Sequence, residues 1–495
     1  MAACPPARSY ASIARGVALA TAALAFGMLA WVVAHRLAHP FDLEWLEGAT
    51  LWHAQRLFDG QPLYPPPTLD FVPHPYPPLY PALVALFAHV AGGVSYALGR
   101  ALSTASFAGA LVIGWRFVRA EGGSHAAATV AMAIPCAAYA ATGAWYDLVR
   151  VDSLWLLLTA AGTTLAWRAR HSTLGLAGAA ALLVAAFFTK QTAAPFMLAV
   201  SAALFVVDRR AAVVFVAALA LLGLPALWAM QHATDGWFWF YVARVHRSHR
   251  FYTLAALLVP GRVLLLLLPA VPLVAFALWR RSAPSLRWTA WLALVGIFVS
   301  AIGKATAGGY INAFIPGIYF SSLLVGVALA RIVAGGDARS STRAWALAAA
   351  TVLLAPRVVP SLLERFVPAD RPYATGYALS LLVPAADERA RDEALLARLR
   401  AVDGDVWLPS RPWYARLAGK RPLAGEMAAA DLAPTGVVIA GFDDALRARR
   451  FAAVVVDEDY DSLLAPLFER STVTRFEGAA TVVGHRAPTW WLTPR

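Results

Sequence analysis

The sequence predicts an α-helical polytopic membrane protein with about eleven spanning helices, juxtamembrane helices in a first outer loop, and a soluble α/β domain at the C-terminal end. Of 495 residues, 60% are hydrophobic and only 14% charged. The mean hydropathy is +0.59, well above soluble-domain usage. Apolar runs of near-spanning length recur from residue 16 to residue 356, and beyond about residue 357 they give way to a balanced mixture of acids and bases.

The formal charge is +13. Much of that excess falls in short loops between apolar runs, which is the positive-inside pattern and not a nucleic-acid footprint. The two cysteines, Cys4 in a polar tail and Cys136 in an apolar run, offer neither a metal spacing nor a disulfide framework. Segment 16–34 follows Arg8 and Arg15 without a small-residue cleavage site, so it reads as an anchor.

The spans are expected near 16–34, 97–117, 124–143, 152–167, 173–188, 193–207, 211–230, 261–279, 288–303, 313–333 and 343–356. The run 79–91 is too short to cross and reads as a re-entrant or juxtamembrane helix. With that assignment Arg8/Arg15, Arg116/Arg119, Arg168/Arg170, Asp208–Arg210, Arg280/Arg281/Arg287 and Arg339/Arg343 all fall on one side, the cytoplasm. The protein is then expected in a bacterial inner membrane, with its N-terminus inside and its catalytic loops and C-terminal domain outside. That domain, 357–495, carries a helical pattern at Asp387–Leu399, a short strand at 405–408 and a buried strand at 451–456 flanked by helical runs.

The outer loop 36–96 concentrates the chemistry. Asp42, Glu44 and Glu47 stand within six residues, followed by a helical run, a turn at Asp59-Gly60 and a proline-rich segment ending Tyr76-Pro77-Pro78-Leu79-Tyr80. Acids beside hydrocarbon are costly and mark a functional site by default. Glu44 and Glu47, at i and i+3, are expected to share a face of the helix that starts here. The bland reading of the cluster is a solvated first turn.

The same count sets four further segments on the outer face: Trp145–Asp152, Lys190-Gln191, the aromatic loop 231–259 and Lys304–Asn312. A hydroxyl nucleophile needs a base, for which Glu47, Glu44 or Asp42 would serve. A departing phosphate needs cations and donors, for which Arg150, Lys190, Lys304, Tyr310 and Asn312 are candidates. His74, Tyr76 and Tyr80 would shape the substrate loop. Glu47, Asp147 and Asp152 would offer oxygen ligands to a divalent ion. Exposed ion pairs, snorkelling lysines and a surface histidine are the rival readings. His246 and His249 lack a sequence-local acid, and their basic run would hold lipid phosphate electrostatically.

Glu47-Gly48-Ala49-Thr50-Leu51, Gly60-Gln61-Pro62-Leu63-Tyr64, Tyr76–Tyr80 and Arg100 opening the next span together resemble the GT-C membrane glycosyltransferases. Among these the chain is most similar to the family-39-like protein mannosyltransferase and aminoarabinose transferase group. The resemblance covers residues 16 to about 330 in layout. It implies transfer of a hexosyl or pentosyl unit from a polyprenyl-phosphate donor to a lipid, glycan or protein acceptor at the cell envelope. The group's usual loop signature is an Asp-Glu pair, whereas Leu46 precedes Glu47 here, which leaves both Glu47 and Glu44 as the base. A transporter or flippase would set its ionisable groups mid-span in two related halves, and a non-catalytic assembly protein would need no acidic loop. Both stand as alternatives.

Overall fold

The computed structural model describes residues 7–280, 283–355, 382–457, 471–475, 482–483 and 487–494. The first long helix is α1 (Ala7–Leu37), and the loop that follows contains α2 (Glu47–Phe58) and α3 (Leu79–Ala91). At 13 residues, α3 is about 20 Å long, short of the roughly 30 Å hydrocarbon thickness. It packs on α2 and α4 (Tyr96–Ala120).

The next helices are α5 (His125–Ala137), α6 (Asp152–Arg168), α7 (Thr173–Thr189), α8 (Ala194–Val207) and α9 (Arg209–Ala233). Their starts are written locally. Ser95, Ser124, Ser172 and Asp208 each accept a first-turn backbone N–H, satisfying donors that the helix leaves orphaned.

The expected span 124–143 is cut short. α5 carries Pro135 and stops at Ala137, and the chain turns at Gly143 with φ +79°. The stretch that follows to residue 151 is irregular yet buried, a state tolerated at membrane depth only inside protein. The expected span 261–279 is also broken, into α10 (Thr253–Leu266) and α11 (Val271–Arg280). The two halves are bent by 72° where Pro269 removes a backbone donor. α12 (Pro284–Ala305), α13 (Ile315–Ala334) and α14 (Ala338–Leu354) complete the bundle, with α12 against α13 and α14 along α1. Helices occupy all eleven expected runs, but among the described residues five are individually long and apolar enough to cross, or six counting the bent pair.

After α14 the next described helix is α15 (Ala386–Arg400), so the boundary expected at 357 and the helical run after residue 457 lie outside the described residues. Short helices α16 (Pro412–Leu417), α17 (Glu426–Leu432) and α18 (Phe442–Arg447) surround a sheet of β1 (Asp405–Trp407), β2 (Phe451–Asp457), β3 (Ser471–Arg475) and β4 (Pro488–Pro494). The strand order is β1-β2-β4-β3, with β1 parallel to β2 and the other pairs antiparallel.

This module is fastened to the first loop. Val483 donates its N–H to the Leu43 carbonyl at 2.8 Å, and Leu69 to that of Ala440 at 2.9 Å. Phe41 packs with Leu395, Tyr414 and Trp491 in the module's core. Gly48 lets the two surfaces meet, because a Cβ there would lie 2.7 Å from Trp413 Cβ and 3.0 Å from Asp42 Oδ1.

Candidate active site

Glu47 is the hub of the first loop. Arg100 grips its carboxylate with two bonds, Nε to Oε1 at 3.0 Å and Nη2 to Oε2 at 2.6 Å. The Leu43 and Val149 amides add bonds of 2.7 and 2.9 Å. Burial alone would raise its pKa, but Arg100 and the two amides bring it below the ordinary carboxylate value. Arg100 also donates to the carbonyls of Arg36, His39 and Phe41. One ion pair therefore ties together the end of α1, the loop, α4 and the segment before α6.

Asp42 and Glu44 are fully buried and less well served. Asp42 Oδ1 accepts from Gly48 N–H at 2.8 Å and Tyr96 OH at 2.9 Å, while Oδ2 has no hydrogen-bond partner. Burial pushes its pKa up to about 7. Glu44 accepts from the Leu46 N–H, lies 3.7 Å from Arg150, and leaves Oε1 unpartnered. Burial pushes it up to about 8. The shared helix face expected for Glu44 and Glu47 is not formed. α2 begins at Glu47, and Glu44 instead bridges to Val483 of the C-terminal module.

In front of this loop opens a cavity of about 360 Å³. Its polar wall holds Tyr76, Trp145, Arg150, Asp152, Lys190 and Asn312. Asp152 organises that wall. Its Oδ1 accepts from Lys190 Nζ at 2.7 Å and Asn312 Nδ2 at 3.0 Å, and its Oδ2 from Trp145 Nε1 at 2.9 Å. Arg150 lies over the Trp145 ring at 5.0 Å and donates to Tyr76 OH at 3.4 Å, so a rigid aromatic frame holds its charge. Val299, Ile302 and Pro316 give an apolar side, and His246, Arg247 and His249 come from the aromatic loop. Gln191 anchors that loop by donating to the Pro75 and Val242 carbonyls.

Segments 145–152, 190–191, 231–259 and 304–312, far apart in sequence, each supply cavity residues. So does the proline-rich stretch, through His74 and Tyr76. Other expected residues sit elsewhere. Asp42, Glu44 and Glu47 do not line the cavity, where Trp45 and Leu46 of the same loop stand instead, and all four oxygen contacts of Glu47 are taken by Arg100 and the amides of Leu43 and Val149. Lys304 donates to the Gly309 carbonyl at 2.8 Å and stabilises its own turn. Tyr80 is bonded to Gly99 and Ser103 between α3 and α4.

The oxygen set Glu47, Asp147 and Asp152 does not assemble. Each carboxylate has its own cation, Arg100, Arg36 and Lys190 respectively. Among the described residues no three His, Cys, Asp or Glu side chains are placed to hold one ion. These residues do not fit a divalent site.

Met427 and Asp431 of α17 also line the cavity, and nothing in the sequence pointed to them. They lie more than a hundred residues beyond the last predicted cavity segment, in a domain with no motif of its own. Arg100 was noted in the sequence as opening the next span, but its two bonds to Glu47 were not legible there, since pairing across 53 residues leaves no local pattern.

No protein-family model and no curated protein matches the chain. Solved structures do. It is similar to ArnT from Cupriavidus metallidurans in the apo state, with a TM-score of 0.61 at 16% identity over 96% of this chain and 97% of that one. The ArnT structure bound to undecaprenyl phosphate matches with a TM-score of 0.60 at 16% identity, over 96% and 98%. The oligosaccharyltransferase AglB from Archaeoglobus fulgidus, in complex with an inhibitory peptide and a dolichol-phosphate, matches with a TM-score of 0.54 at 11% identity, over 91% and 70%.

Proposed function

We propose that this chain, which has the GT-C fold of those polytopic membrane enzymes, is a glycosyltransferase that takes a sugar from a polyprenyl-phosphate donor. The observation that carries the reading is the cavity itself. Arg150, Lys190 and Arg247 line one chamber together with the apolar side chains of Val299, Ile302 and Pro316, which is the chemistry a phosphate on a lipid tail demands. Two such lipid phosphates occupy proteins of this fold, undecaprenyl phosphate in ArnT and a dolichol-phosphate in AglB.

In this reading Arg150 and Lys190 hold the phosphate and stabilise the charge that grows on it as the glycosidic bond breaks. Asp152 and Asn312 fix Lys190, and Trp145 and Tyr310 flank the sugar. The first-loop carboxylates position: Glu47 through Arg100, and Glu44 through Arg150. No step runs through a metal ion. The chain sits in a bacterial inner membrane with its N-terminus in the cytoplasm. The transmembrane unit is 1–356 and the C-terminal module 357–495 faces the periplasm beside the cavity. The transferred unit is a hexose or pentose, and a transporter would not need the phosphate cations gathered at one end of the bundle.

The test is binding of undecaprenyl phosphate to the full-length protein in nanodiscs, followed by thermal stabilisation. The wild type is expected to be stabilised in a concentration-dependent way and the double variant R150A/K190A not at all. Equal stabilisation of both would remove the phosphate site.

A further inference from the structure

We propose that His249 and Asp431 form the acid–base pair that takes the proton from the acceptor, and that the acceptor is therefore a neutral hydroxyl. This rests on the donor reading above and adds the other half of the reaction. Both residues line the cavity, one from the aromatic loop and one from α17 of the C-terminal module. His249 Nε2 lies 3.2 Å from Asp431 Oδ1, with the two side chains 8% and 17% exposed. Both ring nitrogens are buried without a hydrogen bond of full geometry, so Nε2 is held by its charge contact with Asp431 and Nδ1 has no partner at all. A carboxylate on one imidazole nitrogen and an unused lone pair on the other is the arrangement of a general base.

The competing groups on the cavity wall are weaker bases: burial holds the His74 imidazole well below the ordinary histidine value. Asp152 already accepts three hydrogen bonds. His246 is fixed through Nε2 to the Pro75 carbonyl at 2.9 Å, and burial pushes its pKa down to about 4, leaving a weak base. Asp431 instead holds the His249 imidazole above the ordinary histidine value, against burial. The other charged groups around the pair are His246, Arg247 and Arg250 on its own segment and, across the cavity, Arg150, Asp152 and Lys190.

The step balances without a further reactant. The acceptor oxygen forms a bond to the anomeric carbon, and the bond from that carbon to the phosphate oxygen breaks. Its electron pair leaves with the polyprenyl phosphate, facing Arg150 and Lys190. The hydroxyl proton passes to His249 Nδ1, and Asp431 stabilises the imidazolium formed. A phosphate acceptor would arrive already ionised and would need no such pair, so the presence of the pair selects alcohols. It also gives the C-terminal module a chemical role, with Asp431 as the positioning residue.

The experiment uses full-length protein in nanodiscs with undecaprenyl-phosphate-linked mannose, glucose and arabinose as donors. Methyl glucoside serves as the hydroxyl acceptor and decyl phosphate as the ionised one. Wild type is expected to transfer to methyl glucoside. H249Q should lose about a hundredfold in kcat with the donor KM unchanged. D431N should lose less and move the acid limb of kcat/KM to lower pH, with D431E restoring it. Both variants should bind undecaprenyl phosphate as the wild type does. The pair is overturned by variants that transfer at wild-type rate, by variants that lose binding together with rate, by transfer to decyl phosphate alone, or by a wild type that binds undecaprenyl phosphate yet transfers to no hydroxyl. A wild type that neither binds nor transfers overturns the donor reading itself.

Discussion

Two acid–cation pairs lie on either side of the loop that carries Trp45 and Leu46, and they differ in what is left over. Behind the loop, Glu47 and Arg100 are wholly buried, and every carboxylate oxygen of Glu47 has a donor. In front of it, Arg150 meets its nearest carboxylate only at 3.7 Å, and Lys190, 17% exposed, opens onto the cavity. A saturated pair holds a fold together and has no capacity for a substrate. An unsaturated one has that capacity, at some cost to stability. Charge beside a membrane therefore identifies a site only after its partners have been counted.

The sharpest way to break this contrast is to remove Glu47. E47A would strand the Arg100 guanidinium in a sealed interior, and we expect a loss of about 3–5 kcal/mol, seen as lost expression or a collapsed thermal transition in detergent. A companion double variant, E47L/R100M, should recover much of that loss, because two apolar side chains of similar volume leave no charge behind. If E47A folds normally and only transfer disappears, Glu47 is a reacting group and the contrast is wrong.

In front of the loop the same logic predicts the opposite separation. R150A and K190A should each weaken undecaprenyl phosphate binding about tenfold or more, the value of one charge-assisted hydrogen bond; the unliganded melting temperature should move little in R150A, and fall in K190A, which leaves buried Asp152 without its 2.7 Å partner. A large fall in stability with binding intact would place Arg150 among the architectural groups. Gly48 probes the seam between the first loop and the C-terminal module. Because a Cβ there meets Trp413 Cβ at 2.7 Å, G48A should cost about 1–3 kcal/mol through overpacking. It should also raise protease sensitivity of the C-terminal module before that of the bundle.

Much of this was legible in the sequence because hydrocarbon imposes it. The helical runs and the short run 79–91 are consequences of bilayer thickness and apolar length. Strands at 405–408 and 451–456 were readable from short apolar runs, and both form within a residue at each end. Convergence of segments 145–152, 190–191, 231–259 and 304–312 on one cavity was legible from counting sides. Legibility failed where tertiary contacts outweigh local pattern. Pro135 and Pro269 broke two spans that hydropathy drew as continuous. The acidic cluster looked reactive because sequence shows charges without their partners, and the four donors on Glu47 come from residues 43, 100 and 149. Asp431 was invisible for the same reason, since its meaning comes wholly from His249.

The smallest effect, and the most specific to the sealed region, is its dependence on pH. An exposed carboxyl in the unfolded chain titrates near 4, whereas burial raises Asp42 to about 7 and Glu44 to about 8. The folded state then binds more protons than the unfolded one between those values, so stability contributed by these two groups falls as pH rises from about 4 to 8. Glu47, held low by Arg100, works in the other direction and loses its contribution only on acidification below about 4. Thermal unfolding of full-length protein between pH 5 and 8 should therefore slope downward on the alkaline side, and D42N/E44Q should flatten that slope while leaving the acid side intact. A slope unchanged in the double variant would mean that water or a cation reaches those two carboxylates, and that the region behind the loop is not sealed.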